Sequence, residues 1–342
     1  MAEEDPGRCD YCRLPRVAGT VTADHDGETY RFCSAACRDA LERHAHVFTE
    51  YHGFRRFSPG VSALDAALPA GVPRNSLVTL SNRPGTRDEA LRAELAWRAL
   101  QRGEPAVLVS FLEPPVSVLQ EFVSLGWNPL PYLESGALHL LDCFTYRVDD
   151  RERLLDRMNA WNAHLRAVAE PETTTVREPD DVGQVLGAVD RCLRAKEMHD
   201  TGIVVVDSLT EVGALLQPVQ AYDMVKDLRA DVCKGRFVPV FAGATIGDNG
   251  EVFPHDLAYI VDGIVEMGFN PDLVADGLVK ELQVRKMSGV PVRPRWVPYR
   301  FAEGAGLVEL EVVAADDEAA AGGGDEDGGD GATGSDDGQA GE

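Results

Sequence analysis

The sequence predicts an α/β fold in which helices flank a mostly parallel β-sheet, with a small cysteine-rich module before it and an acidic tail after it. Residues 53–313 alternate short β-branched runs with helical patterns, which is typical of such a sheet. Residues 1–52 hold four of the seven cysteines. Residues 314–342 hold ten acidic residues, nine glycines and no aromatic residue, so we expect them to be disordered.

Five short apolar runs within residues 53–313 have the length of buried strands. They are Leu77–Ser81, Ala106–Phe111, Leu138–Asp142, Ile203–Asp207 and Val238–Ala242. A later group of three strands between residues 263 and 301 is predicted to be antiparallel and to form a sheet edge. Residues 169–180 are rich in Glu, Pro and Thr and are predicted to form a loop.

The charge balance limits the partners and the environment of this protein. The net charge is −24, and only five of the 33 basic residues are lysines. An acidic surface with few lysines is typical of a protein kept soluble in molar salt, where the Debye length is about 3 Å. We therefore predict a halophilic archaeal source. Nucleic acid is an unfavourable partner because no basic stripe is present.

Neither a spanning segment nor a secretion signal is predicted. The chain has no run of 18 apolar residues, and its acidic start is followed by no apolar stretch. We therefore expect a cytoplasmic protein without a membrane span, in which thiols stay reduced or bind a metal.

Two cysteine pairs predict a zinc site. Cys9 and Cys12 are separated by two residues, and Cys33 and Cys37 by three. Zinc takes four such thiolates in a tetrahedron, and the second pair lies at the start of a predicted helix, whose dipole favours thiolates. A segment of this size needs the metal to supply folding energy. Four unconnected cysteines or two disulfides remain the alternatives.

The same segment resembles a known group of zinc modules. Cys9-Asp10-Tyr11-Cys12 and Phe32-Cys33-Ser34-Ala35-Ala36-Cys37 are similar to the knuckles of treble-clef modules of the MYM, YHS and TRASH type. The resemblance covers roughly residues 7–48 and implies a role in protein contacts or metal sensing.

A phosphate-loop context follows the first buried strand. The strand leads into a Pro84-Gly85 turn and then into a helix that begins near Asp88, as in nucleotide-binding loops. Further segments match in order. They are Phe57–Asp65, Val109–Pro115, Ile203–Leu209, Asp262–Glu266 and Leu282–Gly289. Over about residues 55–312 the chain resembles the RecA-like ATPases of the KaiC group, which implies a RecA-like P-loop NTPase fold.

The resemblance also shows which catalytic positions have changed. The phosphate loop corresponds to Asn82, Arg83, Pro84, Gly85, Thr86, Arg87, Asp88 and Glu89. The family's lysine and Ser/Thr positions read Asp88 and Glu89 here. Of the paired glutamates only Glu113 remains, Asp207 remains in the Walker B strand, and Lys286 remains in the inter-subunit finger.

Electrostatics indicates that these changes weaken nucleotide binding. A unit charge at about 4 Å contributes about 4 kcal/mol at an effective dielectric near 20. Micromolar affinity corresponds to about −8 kcal/mol in total. Replacing the family's lysine by Asp88 therefore removes most of the free energy of nucleotide binding. Zinc is the predicted cofactor. Binding of ATP with Mg²⁺ would require Arg83 or Arg87 to take over the role of the lysine.

The predicted function is a non-catalytic RecA/KaiC-like scaffold in a regulatory or signalling assembly, acting through protein contacts. The resemblance implies homo-oligomers, a protein partner, or mixed rings with an active KaiC-like paralogue, in which Lys286 reaches a neighbour's nucleotide. The alternative is an ATP-binding KaiC-like ATPase or ATP-dependent switch that uses Asp207, Glu113 and a loop arginine. A DNA-associated recombination factor is a third class, and the acidic surface opposes it.

Overall fold

The computed structural model describes residues 7–16, 21–25, 27–44, 55–150, 153, 156–246, 257–271 and 277–310. The predicted acidic tail and the predicted boundary between residues 52 and 53 lie outside these residues. The strands, in chain order, are β1 Val21–His25, β2 Glu28–Phe32, β3 Arg56–Phe57, β4 Val72–Pro73, β5 Leu77–Asn82, β6 Ala106–Ser110, β7 Leu138–Asp142, β8 Thr173–Thr175, β9 Ile203–Val206, β10 Val240–Thr245, β11 Gly263–Asn270, β12 Val279–Met287, β13 Val297–Ala302 and β14 Gly306–Glu309.

A ten-stranded sheet organises the described part of the body, in the order β14-β13-β12-β11-β5-β10-β9-β6-β7-β8. From β11 to β8 neighbouring strands are parallel, while β12, β13 and β14 add an antiparallel edge. The predicted mostly parallel sheet is therefore confirmed. One detail differs: Thr173–Thr175 lies within the predicted loop but pairs with β7, because edge pairing of three threonines needs little apolar sequence.

The parallel strands lie in the sheet centre because their sequences are apolar on both faces. All residues of β5, β6, β7 and β9 are buried. Such runs are stable only when helices cover both faces of the sheet. The helices are α1 Ala35–His44, α2 Ser62–Ala67, α3 Asp88–Gln101, α4 Pro115–Ser124, α5 Leu130–Glu134, α6 Ala160–Ala169, α7 Val182–Ala195, α8 Leu209–Leu215 and α9 Pro218–Asp227.

Two core layers result. One layer joins α2, α3 and α4 to the sheet, and the other joins α7, α8 and α9 to it. Local signals begin several of these helices. The side chains of Asn159, Asp181 and Ser208 accept N–H bonds from the first turns of α6, α7 and α8. None of the helices within the described segments is long and apolar enough to cross a bilayer.

A π-helical turn ties α9 to the start of β5. The turn covers Leu228–Lys234, and its Arg229 and Lys234 donate to the Asp262 carboxylate at 2.8 and 3.0 Å. Asp262 also accepts the N–H of Leu77, the first residue of β5, at 3.1 Å. Burial acts to raise the pKa of Asp262, but Arg229, Leu77 and Lys234 hold it below its usual range. This network anchors the strand that leads to the phosphate loop.

The cysteine-rich segment has a small core of its own. Strands β1 and β2 pair as an antiparallel hairpin, and α1 follows β2. Among the described residues of this segment, Cys9, Phe32 and Leu41 are its buried core. Three buried side chains are too few to stabilise a fold without a further link.

Candidate functional site

The turn between β5 and α3, which the resemblance aligns with a phosphate loop, contains two residues with positive φ. Gly85 has a φ of +92° and Arg87 a φ of +65°. The second value is left-handed, a conformation that glycine adopts freely and that costs other residues about 1 kcal/mol or more. The resemblance aligns Arg87 with a glycine of the KaiC group, and the backbone at Arg87 has the left-handed conformation that glycine adopts freely.

Internal hydrogen bonds and ring contacts hold this loop. The Arg83 N–H donates to the Met267 carbonyl, and the Thr86 N–H donates to the Arg83 carbonyl, both at 3.1 Å. The Tyr299 hydroxyl on β13 donates to the Thr86 carbonyl at 2.7 Å. The Arg87 guanidinium lies 5.6 Å from the centre of the Phe301 ring. Strands β11 and β13 therefore support the loop from the antiparallel edge.

Two carboxylates occupy the beginning of α3. Asp88 forms an ion pair with Arg92, one turn later on the same helix. Glu89 is half-buried, and burial raises its pKa, with further contributions from Asp88 and Glu121. The positive end of a helix dipole favours an anion at this place. In this chain the protein supplies that anion itself.

Asp207, at the end of β9, is engaged by the backbone of the neighbouring strand. Its carboxylate accepts the N–H of Phe111 at 2.9 Å and the N–H of Leu112 at 2.8 Å. Burial raises the pKa of Asp207, whereas these N–H donors and Arg92 lower it. The carboxylate therefore fixes the turn that follows β6.

The structure brings three of the predicted site residues into one small cavity. Glu89, Glu113 and Asp207 line it together with Arg92, and its volume is about 40 Å³. Burial raises the pKa of Glu113, Arg92 lowers it, and the negative charge of Asp207 adds to the increase. The three carboxyl groups and the Arg92 guanidinium therefore share one small space beside the start of α3.

Arg92 is the residue that the sequence analysis missed. A carbon placed on Gly243 would lie 2.8 Å from the Arg92 guanidinium and 2.2 Å from the Asp207 carbonyl, so the glycine allows this close approach. The spacing of four residues between Asp88 and Arg92 is the signal that could have revealed the pair.

Residues 57–311 match the model of the family described as the ATPase KaiC. The chain belongs to the KaiC family of ATPases. It is 26% identical over 253 residues to a UPF0273 protein of Thermotoga maritima, covering 73% of this chain and 93% of that one. It is 27% identical over 261 residues to a UPF0273 protein of Methanopyrus kandleri, covering 75% and 93%.

A solved structure supports the same fold. The KaiC-like protein PH0186 of Pyrococcus horikoshii matches with a TM-score of 0.56 and 16% identity, over 75% of this chain and 99% of that chain. The predicted RecA-like KaiC fold is thus confirmed. The zinc module and the halophilic source stay predictions.

Lys286, which the resemblance assigns to the inter-subunit finger, forms hydrogen bonds within its own chain. Its ammonium donates to the carbonyls of Ala258 and Val261, both at 2.7 Å. These carbonyls flank the end of the 3₁₀ turn Leu257–Tyr259. The structure does not bring Lys286 into the cavity lined by Glu89, Glu113 and Asp207.

The four predicted cysteine ligands converge at one point outside the matched family region. The sulfur atoms of Cys9, Cys12, Cys33 and Cys37 lie within 4.8 Å of one another. The Cys33 sulfur is 3.6 Å from that of Cys12 and 3.7 Å from that of Cys37. Four thiolates about 2.3 Å from a central zinc would lie about 3.8 Å apart. The cluster can therefore hold a metal ion of this size.

The backbone around Cys9 favours its thiolate. Burial acts to raise the pKa of Cys9, but N–H groups of Cys12, Cys33 and Tyr11 lower it to about 7. The thiols are free in the structure, and their separations far exceed the about 2.05 Å of a disulfide. The arrangement is one that could hold a single metal ion.

Proposed function

We propose that this protein is a nucleotide-independent KaiC-fold scaffold that works through protein contacts in a regulatory or signalling assembly. The observation that carries the proposal is the pair of carboxylates, Asp88 and Glu89, at the beginning of α3, with Asp88 bound to Arg92 of the same helix. The place of a phosphate is thus taken by the chain's own anions.

The energetics of this helix end oppose a bound triphosphate. Asp88 and Glu89 would face the added negative charge, and each close pair of like charges costs about 4 kcal/mol at an effective dielectric near 20. Arg92 offers little compensation because Asp88 already neutralises it. Strong ATP binding would require this ion pair to break.

The retained Asp207 has a structural reason to be present. It holds the turn after β6 through the N–H groups of Phe111 and Leu112. Removing it would leave these donors without an acceptor, which costs about 1–3 kcal/mol each when buried. The hydrogen bonds to Phe111 and Leu112 therefore explain why the fold has Asp207 at this position, without a role in Mg²⁺ binding.

The four-cysteine cluster supplies the second part of the proposal. Zinc is bound by Cys9, Cys12, Cys33 and Cys37, whose sulfur separations fit its tetrahedron. The metal stabilises a segment in which three of the described side chains form the buried core, and it presents this segment as a second contact surface. The partner is a protein: a second copy, an active KaiC-like paralogue in a mixed ring, or another regulatory protein.

Calorimetric titration of ATP with Mg²⁺ in molar KCl tests the nucleotide part. The wild-type protein is expected to show no binding, whereas the double variant Asp88→Lys/Glu89→Thr is expected to gain measurable affinity. Glu134→Lys, an exposed change on α5, is the matched control and should show no ATP binding, like the wild type. Micromolar ATP binding by the wild-type protein would overturn the proposal and favour the ATP-dependent switch.

A further inference from the structure

A second and larger cavity lies at the carboxyl ends of the outer parallel strands. Its volume is about 230 Å³, compared with about 40 Å³ for the cavity lined by Glu89, Glu113 and Asp207. Its walls come from the start of α4, the end of β7, the last turn of α6 and the edge strand β8. Crevices at the carboxyl ends of parallel strands are where open α/β sheets bind ligands.

The Asp142 carboxylate is the buried polar group of this cavity. Asp142 is 3% exposed. One of its oxygens, Oδ1, accepts the N–H groups of Phe144 at 3.0 Å and Thr145 at 2.8 Å, which fixes the orientation of the side chain. The other oxygen, Oδ2, accepts no hydrogen bond from the residues that the structure describes. Because Oδ2 has no hydrogen-bond donor among the described residues, a ligand that carries N–H donors would stabilise this buried carboxylate.

Arg166 contributes the opposite charge from α6. It lines the same cavity, and it forms no ion pair with Asp142 or with any other residue in the described ranges. The cavity thus holds a carboxylate and a guanidinium apart from each other. Glu170, also in the lining, makes the formal charge of these three groups −1, so a ligand with two negative charges is disfavoured.

The remaining walls combine apolar side chains with hydroxyl groups. The apolar residues are Pro114, Pro115, Val116, Met158 and Ala169, and the hydroxyl groups belong to Thr145, Thr173 and Thr175. A ligand of complementary chemistry has an ammonium group, a carboxylate and a short apolar side chain.

We propose that this cavity binds a small apolar α-amino acid, with its ammonium on Asp142 Oδ2 and its carboxylate on the Arg166 guanidinium. Each contact is a charge-assisted hydrogen bond, and together they recognise the two ends of a zwitterion. The site does not include the phosphate loop. The proposal that it binds an amino acid therefore does not depend on whether the protein binds a nucleotide.

Calorimetric titration of the full-length protein with alanine, valine, leucine and methionine tests the proposal. At least one is expected to bind, and Asp142→Asn and Arg166→Gln are each expected to weaken that binding by about 10- to 100-fold. Asparagine can still accept the N–H groups of Phe144 and Thr145, and Arg166 is exposed, so both variants should fold. Arg191→Gln, an exposed change on α7, is the matched control and should bind like the wild type.

Blocked ligands test the two contacts separately. N-acetyl-leucine lacks the ammonium and leucinamide lacks the carboxylate, so both are expected to bind at least about 10-fold more weakly than leucine. The proposal is overturned if none of the four amino acids binds, if binding is unchanged in either cavity variant, or if either blocked compound binds as tightly as leucine.

Discussion

The Tyr299 hydroxyl donates a 2.7 Å hydrogen bond to the Thr86 carbonyl, which joins the phosphate loop to a strand 213 residues further along the chain. Tyr299 is 1% exposed, so this bond forms away from water. Strand β13 therefore helps to hold the loop between β5 and α3 in its shape.

Removing that hydroxyl should destabilise the protein. Tyr299→Phe keeps the ring and leaves the Thr86 carbonyl without this donor, so we expect a loss of about 1–2 kcal/mol in the free energy of unfolding. Urea unfolding measures it. Tyr132→Phe is the control, because its hydroxyl forms no hydrogen bond with the described residues. Equal stability of Tyr299→Phe and wild type would contradict the role given to this bond.

The ion pairs at Asp262 should make stability depend on pH. The pKa of Asp262 is lowered in the folded state, so its contribution is complete above the unfolded value of about 4 and is lost as pH falls through the folded value. We expect Asp262→Asn to cost about 2 kcal/mol at neutral pH and progressively less in acid below about pH 4. Urea unfolding at several pH values compares the two proteins. A difference independent of pH would show that the charge is not responsible.

Metal analysis of the purified protein should find one zinc ion per chain. Cys33→Ser removes a central member of the cluster and is expected to abolish zinc retention, because three thiolates leave the tetrahedron incomplete. Cys192→Ser, a buried cysteine of α7 outside the cluster, should retain the metal. Zinc that stays bound in Cys33→Ser would contradict the ligand assignment.

Lys286 has two testable roles. Its bonds to the carbonyls of Ala258 and Val261 predict that Lys286→Ala lowers the free energy of unfolding by about 1–2 kcal/mol. The mixed-ring hypothesis adds that the variant lowers the ATPase rate of an active KaiC-like partner. Arg300→Ala, an exposed change on β13 outside the finger segment, is the control for both measurements. An unchanged partner rate, with stability reduced, would leave Lys286 a structural role only.

The acidic composition predicts stabilisation by salt. The net charge is −24, so the acidic side chains repel one another in the compact folded state. Salt screens this repulsion, because the Debye length falls from about 10 Å at 0.1 M to about 3 Å at 1 M salt. We expect the midpoint of thermal unfolding to rise steadily with KCl over this range. A midpoint that is insensitive to KCl would argue against adaptation to a saline cytoplasm.

Much of the fold could be predicted because local patterns specify it. The apolar runs that become β5, β6, β7 and β9 can be buried only in the centre of a covered sheet. The edge strand β8 could not be predicted, because three threonines pair with β7 through backbone groups that carry no sequence signal. The hydrogen-bond partners of Lys286 could not be predicted either, because they are backbone carbonyls 25 and 28 residues away in the chain.

The sequence by itself determined the α/β class and the spacing of the four cysteines, and it predicted that Asp88 replaces the phosphate-binding lysine. These are properties of residue type and spacing. Only the tertiary structure decided that Arg92 neutralises Asp88, that Asp207 serves the backbone after β6, and that Asp142 and Arg166 share a cavity without touching. Such relationships depend on which strand ends and helix turns meet in space, and the direction of a side chain toward a distant partner is set by packing.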